Sequence, residues 1–544
     1  MRHPSSPRSQ APRVCGVRIF YVTAVGSDDN DGLTEASSWA TTARVNAATL
    51  QPGDRILFRA GDTFSGPLVL GPQHCGTQAA PTLVGSYGTG RATLRQEDGS
   101  EGAILARDIS HVRIAGLQLV GRRLGVRPAP GLWAFTTPAA GGRRQGVTIA
   151  RLRVEGFGGD GILIGDESGL SASGFEGLHI AGCEVFDCAL GGTTGGITVY
   201  GRKGLQVNAP SHARLRISNC IAHHNPGMGG IHRHTGSGIS LGQCEDSVVE
   251  NCRAFANGAL SESGAEGPVG IWLYDSLQCA ICHCTSHHNR TGIGRPDGGG
   301  FDLDGGCVDC RIEYCLSHNN DGAGYLLYQY ADADIRPLSG NVVRFNISVD
   351  DARQPAGGKG SITIGTRDPS RPHARNAIYG NTVFTNGLSR LAVCFAPPDP
   401  SSFNDCILAN NVLHVSGVGS AFVDAFSGVP AGWRLIGNCY WTREAPRLRW
   451  GDTTYGTVAA WRAGTAQETY GAVDTSLTAD PLLLRPGTTR ASDYKLRPGS
   501  PAYGAGLNLA LLPGVVAGQI DHFGQRIPHM FGSGFNIGAD GSSP

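Results

Sequence analysis

What most constrains this chain is a three-residue signature that returns about ten times between residues 114 and 410. An apolar residue is followed three positions on by a second core-type residue. Eight positions on comes, in most copies, a cysteine, asparagine or aspartate. The series reads Ile149/Leu152/Phe157, Ile180/Cys183/Cys188, Ile217/Cys220/Asn225, Val249/Cys252/Asn257, Ile281/Cys284/Asn289, Ile312/Cys315/Asn320, Val343/Asn346/Asp351 and Ile378/Asn381/Asn386, with Ile114/Leu117 before it and Ile407/Asn410 after it. Successive middle residues lie 29–37 positions apart. A unit this short cannot bury its apolar face alone, and stacking on copies of itself solves the problem, so the repeat predicts a solenoid. Each unit carries a second apolar run, most often after glycine: Ile162-Leu163-Ile164, Ile197-Thr198-Val199, Ile239-Ser240-Leu241, Ile271-Trp272-Leu273, Phe301-Asp302-Leu303, Tyr325-Leu326-Leu327 and Ile362-Thr363-Ile364. Short runs between Gly/Asn turns, without helical periodicity, are strands, so the fold class is all-β.

Stacking turns repeat positions into columns. Cys188, Asn225, Asn257, Asn289, Asn320, Asp351 and Asn386 form one column, in which each amide can bond its counterpart one coil away, at the strand spacing of about 4.8 Å. Cys183, Cys220, Cys252, Cys284 and Cys315 form another, a buried stack of small apolar thiols. Cys279-x-x-Cys282 and Cys307-x-x-Cys310 have the spacing of a zinc ribbon. Cys279 and Cys310 each lie two positions before a repeat anchor, however, so register accounts for them and no metal is assigned. His223, His287 and His318, with Phe255, share one position and predict a stacked structural row.

Composition narrows the class further. Lys+Arg and Asp+Glu are both 45, giving zero formal charge, which argues against a nucleic-acid partner held through phosphates. The 81 glycines follow no every-third pattern, which excludes collagen. No run is long enough to span a membrane, and residues 1–18 read as a polar, disordered tail without a visible signal peptide. Residues 19–107 read as an N-terminal cap with the first strands, 108–440 as the solenoid body, and 441–544 as a closing segment. The closing segment is expected to include a short helix over 453–466 and to shield the last coil's open edge.

The chemistry is expected on the stretch 299–306, Gly-Gly-Phe-Asp-Leu-Asp-Gly-Gly. On a strand, Phe301 and Leu303 share one face and Asp302 and Asp304 the other, about 6.5–7 Å apart at Cα. That is near the lower end of the separation an inverting glycosidase uses. Aligning the second strands places Thr198, Ser240, Trp272, Asp302, Leu326 and Thr363 in one outward row. Tyr200, Gly242, Tyr274, Asp304, Tyr328 and Gly365 form the next. Aromatic faces beside carboxylates suit a sugar ring, so Trp272, Tyr274 and Tyr328 are substrate-binding candidates. Just upstream of the strands, His234, Glu266, Asp297 and Asp321 are expected to converge on the same groove. Loops 226–237, 259–268 and 290–298 are extended and carry His232, Arg233, His234, Glu262, Glu266, Arg290, Arg295 and Asp297.

Three parts of the chain resemble bacterial right-handed parallel β-helix proteins of the pectate-lyase-like superfamily. They are the entry segment (Phe20-Tyr21-Val22, Gly26-Ser27-Asp28, Asp31-Gly32 and Pro52-Gly53-Asp54-Arg55-Ile56-Leu57-Phe58), the body from Gly299 to Tyr330, and the ending (Ala460-Trp461, Ala479-Asp480-Pro481, Pro498-Gly499-Ser500-Pro501-Ala502 and Ile537-Gly538-Ala539). The resemblance implies a right-handed parallel β-helix, a polysaccharide or oligosaccharide partner, a monomer or small homo-oligomer, and a secreted or periplasmic location. Asp302-Leu303-Asp304 resembles the paired aspartates of polygalacturonases in spacing, without their Gly-His-Gly or Arg-Ile-Lys signatures. The Asp-Pro-His-Asp run of mannuronate epimerases is missing as well.

Three functions stay open at this point. A glycoside hydrolase would use Asp302 and Asp304 as acid and base or nucleophile, with Glu266, Asp297 or Asp321 as a third carboxylate and no cofactor. A polysaccharide lyase would use His234 or a lysine as base. Lys203, Lys359, Arg233, Arg290 and Arg295 are its candidate cations, or aspartates could hold Ca²⁺. A non-catalytic carbohydrate-binding solenoid would need only the aromatic row.

Overall fold

The computed structural model describes residues 16–542 apart from 97–98, 124–127, 192–194, 203–208, 332–335, 355–358, 397–402, 513–514, 528–533 and positions 232, 265, 369, 372, 387, 389 and 516. The chain winds as a right-handed parallel β-helix. Each coil contributes one strand to each of three long sheets. The first sheet holds 14 strands, from Ile19–Val22 to Trp433–Ile436, and the second 13, from Thr63–Ser65 to Cys439–Trp441. The third holds 14, from Leu68–Leu70 to Thr453–Tyr455. All neighbours within them pair in parallel except the last, Leu448–Trp450 with Thr453–Tyr455. The ten signature repeats therefore lie inside a longer stack, whose first coils lack the Cys/Asn marks.

Strand alternation builds the core. Ile271, Leu273, Phe301, Leu303 and Leu327 point inward with no exposed surface, and the Phe301 and Tyr325 rings stack one coil apart at 5.4 Å. The turn columns form hydrogen-bonded ladders. Asn225 Nδ2 donates to Asn257 Oδ1 at 2.9 Å, Asn257 to Asn289 at 3.0 Å, Asn289 to Asn320 at 2.9 Å and Asn320 to Asp351 at 2.7 Å. Asn386 does not continue this ladder: it is exposed, and its backbone N–H donates to the Asp350 carboxylate.

The thiol column hands over to a second amide ladder. Backbone N–H groups of Cys220 and Cys252 donate to the Sγ of Cys252 and Cys284, both at 3.4 Å. The Cys315 N–H meets Asn346 Oδ1 at 2.8 Å. From there Asn346, Asn381, Asn411 and Asn438 run to the buried carboxylate of Glu468. Asn411 rather than Asn410 takes this slot, because Ile378 pairs with Leu408 instead of Ile407. Displaced by one residue, Asn410 uses its amide to hold Leu507. Three of the four thiols of ribbon spacing come together, with Cys310 touching both Cys279 and Cys307 and its Sγ accepting the Cys279 N–H at 3.4 Å, but Cys282 does not join them. Cys279, Cys307 and Cys310 are buried at the corners, while Cys282 is half-buried on the first sheet's outer face.

At the C-terminal end the helix Val458–Thr465 starts at Thr457, whose hydroxyl caps the Ala460 N–H at 3.0 Å. It drops Trp461 onto Tyr440 and Trp450, closing the last coil. The chain then runs back outside the stack. Leu483, Tyr494, Leu496 and Ile537 pack on Val349, Phe384 and Val412 of the second sheet. Leu509 and Leu512 pack with Tyr314, Phe345 and Tyr379 of the first. No helix among the described residues is long and apolar enough to cross a membrane.

Candidate functional site

The strand Gly299–Asp304 lies in the middle of the third sheet. Its opening glycines are required by close approach: a Cβ on Gly300 would fall 2.2 Å from Ser317 Oγ and 2.9 Å from the Gly324 carbonyl. Alternation then sends Asp302 and Asp304 outward. Register sets Asp302 between Trp272 and Leu326, and Asp304 beside Tyr328.

The two acids differ in surroundings. Asp302 is only 3% exposed, and its Oδ1 has no hydrogen-bond partner. Burial, reinforced by the charges of Asp304 and Asp297, pushes its carboxyl well above the usual carboxylate range. Asp302 therefore holds its proton more tightly than an ordinary aspartate does. Asp304 is half-buried, and its Oδ1 accepts the Gly305 N–H at 2.8 Å.

Loops between the second and third sheets bring further groups to this rim. Asp297 sits in the left-handed region (φ 59°). Its Oδ2 accepts the Gly267 N–H at 2.8 Å and its carbonyl accepts from Lys359 Nζ at 2.9 Å. Burial pushes the Lys359 ammonium down, against the attraction of Asp297 and Asp321. His234 lies edge-on to Trp272, ring centroids 5.1 Å apart. Burial also pushes His234 down, while Glu266 and Asp297 pull the other way. Exposed Glu266 accepts the His234 backbone N–H at 3.3 Å. The buried His234 Nδ1 and Trp272 Nε1 have no hydrogen-bond partner, like Asp302 Oδ1. Three buried polar atoms without a protein partner thus lie along one strip of groove, and such atoms call for an explanation.

The tyrosines interlock with glycines. A Cβ on Gly242 would lie 1.9 Å from the Tyr274 ring, one on Gly165 2.3 Å from Tyr200, and one on Gly365 2.7 Å from Tyr328. Tyr274 leans toward the N-terminal end, where its hydroxyl donates to the Val199 carbonyl at 3.3 Å. Tyr328 leans the opposite way, beneath the Arg367 guanidinium at 5.9 Å. The two rings thus diverge on either side of Asp304.

Other candidates sit farther off. Asp321 Oδ2 accepts from Thr291 N and Gln354 Nε2, both at 3.4 Å. Arg233, Arg290 and Arg295 are exposed on the loops. Arg233 acts on His234, Arg290 faces His288, and the Arg295 guanidinium lies beside Gly264. His232 and Lys203 lie outside the described residues. Arg367 is the residue that the repeat did not single out, although it stands on the outward parity two positions past Gly365.

Comparisons with known proteins fit this architecture. A family model described as "Right handed beta helix region" matches residues 140–343. Among solved structures, the GH136 lacto-N-biosidase from Eubacterium ramulus superposes with TM-score 0.54 at 19% identity, over 72% of this chain and 66% of that one, so the match spans just under two thirds of that enzyme. The A-module of the Azotobacter vinelandii mannuronan C-5 epimerase AlgE6 gives 0.50 at 16% identity, over 72% and 91%. The pectate lyase Pel9A gives 0.40 at 14% identity, over 96% and 97%. No curated protein matches. The chain is a right-handed parallel β-helix, with residues 140–343 matching the family model of that region. At these identities the likeness shows the fold, and the reaction has to be argued from the groove.

Proposed function

We propose that the protein is a carbohydrate-active enzyme that cleaves glycosidic bonds of a polysaccharide by acid/base hydrolysis. The observation that carries this reading is the buried Asp302, with its unpartnered Oδ1, next to the half-buried Asp304 on the same outward face. Asp302 donates its proton to the glycosidic oxygen as the bond breaks, and Asp304 accepts a proton from the attacking water. Their strand spacing, about 6.5–7 Å at Cα, leaves room for that water. Asp297 acts through its charge, which helps keep Asp302 protonated. The buried Trp272 indole N–H has no protein partner and would meet a sugar hydroxyl once substrate opens the groove, and Tyr274 and Tyr328 offer rings on either side of the cut. The related glycoside hydrolase supports the reading by fold, and this substrate class goes with an extracellular or periplasmic site of action.

One observation favours β-elimination as the second reading. Burial biases both His234 and Lys359 toward their neutral, proton-accepting forms at the same rim. A lyase would use either as the base that removes a proton next to a uronate carboxylate. Incubation with a panel of neutral and uronic-acid polysaccharides separates the readings. Hydrolysis yields new reducing ends without ultraviolet absorbance, and elimination yields unsaturated, absorbing ends. Binding without either product would leave a carbohydrate-binding module and remove the enzyme reading.

A further inference from the structure

The outer face of the second sheet carries a second cluster, away from the groove. Phe186, His223, Phe255, His287 and His318 follow one another up this sheet in register. Their rings stack 4.5–5.1 Å apart and within 5° of parallel. One residue further along each coil, the chain turns through the left-handed region at His224, Ala256, His288 and Asn319, with φ of 51–57°. Successive residues of a strand point to opposite faces, but this turn carries the second side chain back beside the first. His288 Nδ1 lies 2.8 Å from His287 Nδ1, and the same contact recurs at 2.8 Å between His223 and His224.

The two pairs differ in what the next coil supplies. Above His223 stands Phe255, which has no ligand atom. Above His287 stands His318, and ligand nitrogens of His287, His288 and His318 then all lie within 4.8 Å of one another. Among the described residues this is the one group of three or more ligand-type side chains so placed. Burial, followed by the neighbouring imidazoles, pushes His287 down to about 3; burial likewise pushes His318 down to about 4. His318 Nδ1 lies 2.9 Å from the accepting Asn319 Oδ1, so its Nδ1 carries the proton and Nε2 is the atom left to ligate. Arg253, Arg290 and Arg353 face the cluster, so a bound cation has to outweigh their charge.

We propose that His287, His288 and His318 form a transition-metal site, for Zn²⁺ or Cu²⁺, that ties two successive coils together. Three neutral nitrogen donors without a carboxylate match borderline ions and not Ca²⁺ or Mg²⁺, which need oxygen ligands. Tetrahedral ligation at about 2.05 Å sets the nitrogens roughly 3.3 Å apart. The His287–His288 contact has to open by about half an ångström and His318 to draw in, with exposed His288 free to turn. The site stands at the root of the loop that carries Asp297, since Asn289 and Arg290 follow His288 directly. An ion there fixes where that loop leaves the stack.

Calorimetric titration of the chelator-treated full chain with Zn²⁺ tests this. The wild type should bind one equivalent saturably. Two substitutions copy residues that hold the same positions in neighbouring coils: His288→Asn, as Asn319, and His318→Phe, as Phe255. With circular dichroism showing an unchanged fold, each should weaken Zn²⁺ binding by more than about tenfold, since losing even outer-shell partners costs 10- to 100-fold. Electron paramagnetic resonance of the Cu²⁺ form should show nitrogen couplings that His318→Phe reduces. A wild type without saturable Zn²⁺ binding, or variants that bind as well as it does, would overturn the site.

Discussion

At Asp302, burial that makes ionisation costly also makes the carboxyl a proton donor. The group holds its proton more tightly than an ordinary aspartate, because its surroundings are dry and Asp304 and Asp297 are near. A general acid works while protonated, so activity should fall as pH rises through this raised pKa. Asp297→Asn removes one of the neighbouring charges, lowers the pKa of Asp302, and should move the alkaline limb of the kcat/KM profile to lower pH. A limb that stays in place would show that Asp297 does not act on Asp302. The outward parity of Asp302, Asp304, Trp272 and Tyr328 was legible in the sequence, because a strand's period of two needs only the pattern of apolar partners. The placement of Lys359 and Arg367 was not legible. Lys359 reaches Asp297 from a loop whose length the repeat does not set, and Arg367 meets Tyr328 only through a side-chain conformation.

Strands and turns carry the stability of the stack. Each ladder amide satisfies its neighbour, so removing one leaves a buried donor and acceptor unpaired, at about 1–3 kcal/mol. Asn257→Ala should therefore lower the midpoint of thermal unfolding, and an unchanged midpoint would mean that water replaces the lost amide. Gly242→Ala probes the groove instead. Its new Cβ would fall on the Tyr274 ring, so the ring must leave the groove floor. The account predicts a raised KM with folding retained, and unchanged kinetics would remove Tyr274 from the substrate platform. The ladders were visible in advance as columns of Cys and Asn. Their C-terminal ends were misread where one residue of slippage matters: Asn410 and Asn411 are adjacent, and only the pairing of Ile378 with Leu408 chooses between them. Asn386 had the right spacing, but its side chain sits outside the stack.

On the scale of the whole molecule, burial of titratable groups makes stability depend on pH in both directions. Burial pushes His212, His318, His373, His414 and His522 down to about 4, and His287 to about 3. The unfolded chain takes up these protons near pH 6.5, so stability falls as pH drops through roughly 6.5 to 4. Asp351 and Glu468, the acids that end the two amide ladders, are pushed up to about 7 by burial, and Asp160 to about 6. Here the folded state holds protons that the unfolded chain has lost, so stability falls as pH rises through about 4 to 7. The six histidines outnumber the three acids where the windows overlap, so their summed contribution rises with pH through the overlap and levels off only above about pH 7. Asp351→Asn extends the ladder with its own residue type and removes one of the opposing groups, so it should steepen the rise in unfolding midpoint between about pH 5 and 7. A profile unchanged by this substitution would show that Asp351 is ionised in the folded protein. The solenoid itself was legible from its repeat. The path of the closing segment back along the first and second sheets was not, because that segment has no period and its packing partners lie from tens to more than a hundred residues away in sequence.

The central claim is that one buried aspartic acid on the third sheet drives cleavage of a glycosidic bond. The most direct measurement is the product yield of wild type and Asp302→Asn on a polysaccharide that the wild type degrades, with equal unfolding midpoints showing that both are folded. The account predicts new reducing ends from the wild type and a rate about 10²–10⁴-fold lower from the variant. Turnover by Asp302→Asn at the wild-type rate would contradict it.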